Sequence, residues 1–447
     1  LIETQKTRRY NTRVTISPQD NEREFRQILS QKVSGTSTGL WLLVPEFLRL
    51  GAWDLLKGWT GKGDMDFEPR FAMQAINETA LCVNRIRKKN SLGHQGFQLV
   101  NGMGRLVTDE QIHLLLNSRN MEQSEELMIH LGLQRQLSGH YSGDCIALDP
   151  HRIISTSKRM MPKKQKNPDS HSEKMLQTFF SVCAKTGQPI MATMSSSGIP
   201  TTIATKKLLN ATRKIIQSDS LLVADKEHFT EELIAYVQHN DRFDILTPVI
   251  HTKRIKTFMK TLNYKPLWAG YAVSETTYSF RYSKKVFRLL VQRTGETDNN
   301  YSYKGFITTS NRSAQELLTE KYDCRWSVED FYNFENKMGM ARASTHNLNI
   351  RYAKLSLDMI AQAATYQLRK KLKNEYQRWN AEHLSKEVLA WSDGDIKVKD
   401  DTIIVTFYQA PKHLNPNDFI NLPNKLRREN INPKIPWLYS QPLKRPL

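Results

Sequence analysis

Leu221-Leu222-Val223-Ala224-Asp225 is a short, unbroken apolar run closed by an acid. A run of that length reads as a strand buried on both faces. Cys145-Ile146-Ala147-Leu148-Asp149 carries the same pattern 76 residues earlier, and a further short strand is expected at 152–155. Outward from these two, residues 158–173 read as a polar, basic loop containing Lys163, Lys164 and Lys166, followed by a strand at 189–194 and a loop at 195–200. Ile203, Leu208, Leu209, Ile215 and Ile216 give residues 201–217 a helical period, Thr230 caps a helix through 238, and 245–250 is a fifth strand. Strands alternating with helices predict an α/β sheet with helices on its faces.

A carboxylate at the end of a buried strand is costly unless it is paired or metal-bound. In open α/β sheets, the carboxyl ends of strands are where ligands collect. Either aspartate alone fits a cap or turn, whereas two in one strand-helix-strand frame point to a site. Asp144 competes with Asp149 for the first position, but the two are five apart and face opposite ways on a strand. Asp144 also follows Ser142-Gly143 at a turn, so Asp149 is preferred.

The flanks differ in kind. Residues 22–140 are mostly helical in pattern, with Phe47, Leu48, Leu50, Leu55 and Leu56 at helical spacing, and again Phe71, Ile76, Leu81, Val83 and Ile86. Thr108-Asp109-Glu110-Gln111 reads as a capping box, and a polar break at 117–120 precedes a second short helix at 121–131. That pair fits a helix-turn-helix docked in a DNA groove, and equally two helices that merely pack. Residues 348–372 form a long helix expected to lie on the sheet; the tail from 390 holds a strand at 402–407 and then no legible fold.

The 447 residues carry 65 Lys and Arg against 45 Asp and Glu, a net charge of +20 that suits a polyanionic partner. The chain is long enough for two to four structural units. Cys82, Cys145, Cys183 and Cys324 form no C-x-x-C pair, which argues against a zinc site or a disulfide framework. No apolar run is long enough for a membrane span, and residues 1–10 lack the apolar stretch of a secretory signal, so a cytoplasmic, DNA-associated protein is expected.

Tyr322, Arg325 and Glu329 share one face of a helix, a spacing that an ordinary solvated ion pair also satisfies. Tyr322-x-x-Arg325-x-x-x-Glu329, followed by Lys337, resembles the Tyr-Arg-Glu-Lys signature of insertion-sequence DDE transposases, the branch that includes hairpin-forming enzymes. Leu222-Val223-Ala224-Asp225-Lys226 is similar to that family's second-aspartate segment, and residues 145–152 to its first. One departure stands out: the family's lysine falls seven residues after the glutamate, where this chain has Asn336, and Lys337 is eight after.

The resemblance implies a ribonuclease H-like mixed sheet with flanking helices, a β-rich insertion and a helical N-terminal DNA-binding region. The implied division is 1–140, 141–260, an insertion at 261–312 with strands at 271–280, 286–292 and 304–309, then 313–380 and 381–447. It implies a catalytic, metal-binding triad of Asp149, Asp225 and Glu329 holding two Mg²⁺ or Mn²⁺ ions, for which hard oxygen ligands are the right chemistry. Tyr322, Arg325 and Lys337 would contact DNA phosphates. The implied partners are transposon-end and target double-stranded DNA, bound by a homodimer on paired ends. An aromatic of the insertion would assist base extrusion; Trp268 is available, though core packing is its plainer reading. Other ribonuclease H-like nucleases or resolvases, a domesticated DNA-binding protein without cleavage, and a structural or ribosome-associated basic protein remain alternatives.

Overall fold

A computed structural model of the chain describes residues 17–35, 37–61, 68–83, 96–155, 160, 162–165, 171–239, 242–281, 283–340, 345, 347–390, 392–409 and 412–444. The expectations for residues 1–10, Ile86 and Lys166 lie outside the described residues. The chain divides into two compact units, residues 136–332 and residues 1–135 with 333–447.

The architecture is mixed α/β. In residues 136–332 the strands are β1 (Cys145–Ile154), β2 (Ser172–Cys183), β3 (Gln188–Ser196), β4 (Ser220–Ala224) and β5 (Phe243–Pro248). They lie in the order β3-β2-β1-β4-β5. The first three run antiparallel to their neighbours, while β1, β4 and β5 are mutually parallel. Every residue of β4 is buried, as expected of a central parallel strand covered on both faces. Helix α1 (Thr201–Ile215) packs on β2 and β3, where Thr212 and Ser181 share a hydroxyl hydrogen bond of 2.8 Å. Helix α2 (Glu231–Gln238) starts at the Thr230 cap, whose hydroxyl accepts from Leu233 N, and packs on β5.

Two departures from the sequence reading matter. The strands expected at 145–148 and 152–155 are one strand, with Pro150 tolerated because β4 stops pairing at Leu148 and leaves that edge of β1 open. The basic loop expected at 158–173 is partly strand: Lys163–Gln165 pairs with Ser172–Lys174, β2 begins at Ser172, and Met175 to Cys183 are all buried. Its signal was present in Thr178, Phe179, Phe180 and Val182, residues that fit a pleated, buried surface.

The β-rich stretch extends the same sheet. Strands β6 (Lys265–Trp268), β7 (Tyr271–Tyr278), β8 (Phe287–Thr294) and β9 (Ser302–Thr308) form an antiparallel meander, and β9 pairs with β5. Helix α3 (Lys253–Lys260), between β5 and β6, packs on β9. The chain then passes through a π-helical turn, Leu317–Lys321, and a 3-10 turn, Tyr322–Trp326, into helix α4 (Ser327–Met338).

The other unit combines helices with a five-stranded sheet. Val33–Gly35 pairs with Gly394–Lys399, which pairs with Thr402–Phe407, so both ends of the chain contribute to that sheet. Lys434–Ile435 and Gln441–Lys444 complete it, giving the tail a fold its Pro- and Asn-rich sequence hid. Leu348–Arg369 is buried almost all round and packs against Pro69–Ala80 and Asp109–Ser118, not on a sheet as expected. The Thr108 capping box forms, but the helix after it runs Met121–Leu137 and is not short.

Candidate functional site

The parallel ladder between β1 and β4 ends at Leu148 opposite Ala224. The next residue on each strand is an aspartate, so Asp149 and Asp225 stand at the same level on neighbouring strands. No side-chain contact is needed to create this juxtaposition, because backbone register sets it.

The two carboxyls differ in their surroundings. Burial pushes Asp149 up to about 7, the charge of Asp225 adds to the shift, and His228 and Arg325 partly offset it. Burial acts on Asp225 in the same direction, yet the hydrogen bond and charge of His228, the Glu227 amide and Arg325 hold it below the usual carboxylate range. Asp225 Oδ1 accepts from Glu227 N at 2.9 Å and lies 2.9 Å from His228 Nδ1. The Asp225 carbonyl accepts from Thr247 Oγ1 at 2.8 Å and from His228 N at 3.1 Å. Backbone and side chain are thus both fixed, and Oδ2 is the oxygen left without a protein hydrogen bond among the described residues.

Arg325 and Tyr322 come to the same place from the helical turns before α4. The Arg325 charge acts on both aspartates, and its Nε is buried with no hydrogen-bond partner among the described residues. Tyr322 packs edge-on to Phe306 at 4.7 Å, Lys304 Nζ lies 4.6 Å from its ring centre, and burial raises its hydroxyl pKa. Glu329 stands differently. Its Oε1 is 3.4 Å from Arg325, and the side chain is 47% exposed. Among the described residues, no three His, Cys, Asp or Glu side chains converge closely enough to hold a metal ion, so Asp149, Asp225 and Glu329 do not form one cluster.

The first turns of α4 are nevertheless pinned to β1. The Tyr332 hydroxyl donates to the Asp149 carbonyl, and its ring packs edge-on against His151 at 4.8 Å. Phe331 packs against Phe180 of β2 at 5.0 Å. Glu329 lies three residues before Tyr332, on the same side of the helix.

The remaining candidates separate cleanly. Asp144 is committed elsewhere, with Lys321 Nζ at 2.8 Å and Arg312 at 2.9 Å, and the Lys321 hydrogen bond leads in holding its pKa low. Lys337 falls in the other unit, 3.0 Å from Glu382. Trp268 is not core: it is 50% exposed and stacks on Tyr271 at 4.5 Å. Sequence reading missed His228, Lys304 and Tyr332. His228 had a legible signal, a histidine three residues after the strand-ending acid. Lys304 and Tyr332 had none, since their neighbours are distant in sequence.

Asp149 and Asp225 fit a divalent cation as hard oxygen donors, and the raised Asp149 is the state that a cation would relieve. No helix among the described residues is long and apolar enough to cross a membrane. Residues 142–362 match the model of a family described as the transposase DDE domain. No curated protein matches the chain. Among solved structures, a cryo-EM structure of a piggyBac transposase synaptic complex with hairpin DNA is similar at a TM-score of 0.44 and 11% identity, over 80% of this chain and 83% of that one.

Proposed function

We propose that this chain cleaves DNA at transposon ends and joins the freed 3′-hydroxyl to target DNA, using Asp149, Asp225 and Glu329 in a ribonuclease H-like domain. The observation that carries this reading is the in-register pair of aspartates at the end of the β1–β4 ladder, inside the segment that matches the transposase family. The five strands β3-β2-β1-β4-β5, three antiparallel and then parallel, are the mixed sheet such a domain would use.

Asp149 and Asp225 would hold divalent metal, Asp225 through Oδ2, with Glu329 as the third ligand. Two such ions, when bound, supply an activated water and neutralise charge on the phosphoryl and leaving oxygens. Tyr332 fixes α4 beside Asp149, and Glu329 lies three residues before it on the same side of that helix. Its half-exposed pairing with Arg325 is a weak restraint, worth about 0–1 kcal/mol. Arg325, once released, presents its fork and its unpartnered Nε to a phosphate oxygen. Tyr322 lines the same place. Lys337, lying one residue off the family's position, is proposed for a more distant phosphate. A homodimer on paired ends, with residues 1–140 as the DNA-binding region and the 261–312 meander holding the transposon end, completes the proposal.

A second reading has its own support. The Glu329–Arg325 pairing and the lack of a three-acid cluster among the described residues are also what a domesticated DNA-binding relative would show.

A plasmid-nicking assay separates the two. With Mg²⁺ and a supercoiled plasmid carrying the element's flanking repeats, nicks at the repeat ends are expected. Asp225→Ala and Glu329→Ala should abolish them while DNA binding persists. Binding without nicking under Mg²⁺ or Mn²⁺ would favour the domesticated reading, and nicking that survives both substitutions would place the reaction elsewhere.

A further inference from the structure

Between Ile245 and Ser274 the chain contains no Asp or Glu, yet it carries Lys253, Arg254, Lys256, Lys260 and Lys265. This acid-free stretch leaves the carboxyl end of β5, next to the strand that ends at Asp225, and forms α3. Thr252 starts the helix, its hydroxyl accepting from Ile255 N at 3.2 Å. Ile255 and Met259, four apart, are buried against β9. The approach is close at Gly305, where a Cβ would fall 2.9 Å from Val249 and 3.2 Å from Met259, so glycine is what lets the helix sit down on the strand.

Beside that buried face, positions i, i+3 and i+7 form a stripe: Lys253, Lys256 and Lys260, all exposed. Seven residues at ~1.5 Å each give the stripe a length of about 10 Å, roughly three steps of the ~3.4 Å axial rise per phosphate of one DNA strand. Lys226, the residue after Asp225, is also exposed. Lys304 is half-buried on β9 beside Tyr322. No ion pair to a carboxylate engages Lys226, Lys253, Lys256, Lys260 or Lys304 among the described residues. Exposed lysines elsewhere do find such partners, as Lys386 finds Glu382 and Lys32 finds Asp395.

We propose that the Lys253–Lys256–Lys260 face of α3, continued by Lys304 and Lys226, is a phosphate track that lays a duplex DNA backbone up to the Asp149–Asp225 pair. This rests on the DNA-processing reading above and adds to it the surface that holds the substrate. The track explains why like charges are gathered without counter-ions: the polyanion supplies them. His251, at the head of α3, shows how concentrated the charge is. Burial lowers its pKa, and Lys256, Lys304 and Lys226 push it further down.

The test is the salt dependence of binding to a short fluorescent duplex of arbitrary sequence, measured in EDTA so that cleavage plays no part. The variant Lys253→Gln/Lys256→Gln/Lys260→Gln is compared with Lys185→Gln/Lys214→Gln/Arg242→Gln, which removes the same charge at the opposite end of the same sheet. Each lost phosphate contact lowers the slope of log K against log salt by about 0.9, so the α3 variant should lose about 2–3 from the slope and the control less than about 1. A Lys→Arg triple at the α3 positions should bind like wild type. Equal losses in the two Gln triples, an unchanged slope in the α3 variant, or no salt-dependent binding by wild type would each overturn the track. Thermal melts establish that the variants are folded, and Lys256→Gln alone, with an expected slope loss near 1, repeats the test on the mildest change. Wild type that binds but never nicks would defeat the proposed activity and leave the track standing. Nicking with an unchanged α3 slope would defeat the track alone.

Discussion

The β1–β4 strand ends and the Tyr322–Glu329 segment are positioned by different means. Asp149 and Asp225 are placed by backbone register on buried parallel strands, and Asp225 is held by four further hydrogen bonds. The second region is an irregular run, π-helical, then 3-10, then α, with its acid half-exposed and leaning on its own arginine. Two of the three proposed acids are therefore built into the fold, and the third hangs on a helix anchored by Tyr332. Binding groups set by register cost little to organise when a ligand arrives. Those set by rotamer must be ordered at that moment.

The largest expected effect on stability lies at the register-set pair. The folded Asp149 pKa is raised to about 7 from the usual carboxylate value. The folded state therefore binds this proton more tightly than the unfolded chain, and stability falls as pH rises from about 4 to about 7. Asp149→Asn should remove that penalty. Without metal it should stabilise the protein at pH 8 by on the order of 2–4 kcal/mol and have little effect at pH 4. Thermal melts at the two pH values check this, and a destabilised Asn variant at pH 8 would mean that Asp149 is not an isolated buried charge.

A smaller effect sharpens the comparison at Asp225. If His228 fixes this carboxylate through its Nδ1–H, Asn, which carries a donor at the same place, should keep Mn²⁺ affinity near wild type. Gln places its donor one bond further out and should weaken affinity about 10–100-fold. Titration calorimetry on His228→Asn and His228→Gln reads the difference. A packing role alone would favour Gln, whose volume is closer to histidine.

The smallest effect belongs to the helix-borne side. Tyr332→Phe should cost about 1 kcal/mol in a denaturant melt, the loss of one hydrogen bond to the Asp149 carbonyl. It should lower nicking while leaving Mn²⁺ affinity at the aspartates nearly unchanged. A loss of Mn²⁺ affinity would show the two regions to be one rigid device.

Local sequence was informative where local physics decides structure. The apolar runs before Asp149 and Asp225, the Thr108 and Thr230 caps and the α1 period all lie where the residues put them. Strand β2 is hard to read because its start is polar and Gln177, Thr178 and Ser181 interrupt its buried stretch, so no continuous apolar run marks it. The fold of the tail after Phe407 is hidden because its strands are only two and four residues long, too short for a readable alternation. Trp268 looked like core because tryptophan usually is, whereas a hairpin end leaves it half in solvent on Tyr271. At the site, the aspartates are legible from strand endings; facing and the Ser142-Gly143 turn disfavour Asp144, and its pairing with Lys321 and Arg312 adds a further reason. Lys304 and Tyr332 reach the site through tertiary packing, which spacing along the chain does not encode.

The most direct test of the central claim, that the register-set aspartate pair is where metal is held, is Mn²⁺ titration of wild type, Asp149→Asn, Asp225→Asn and Glu329→Gln in the absence of DNA. Both aspartate variants are expected to lose specific Mn²⁺ binding, and Glu329→Gln to weaken it less. Undiminished Mn²⁺ binding by Asp225→Asn would contradict it.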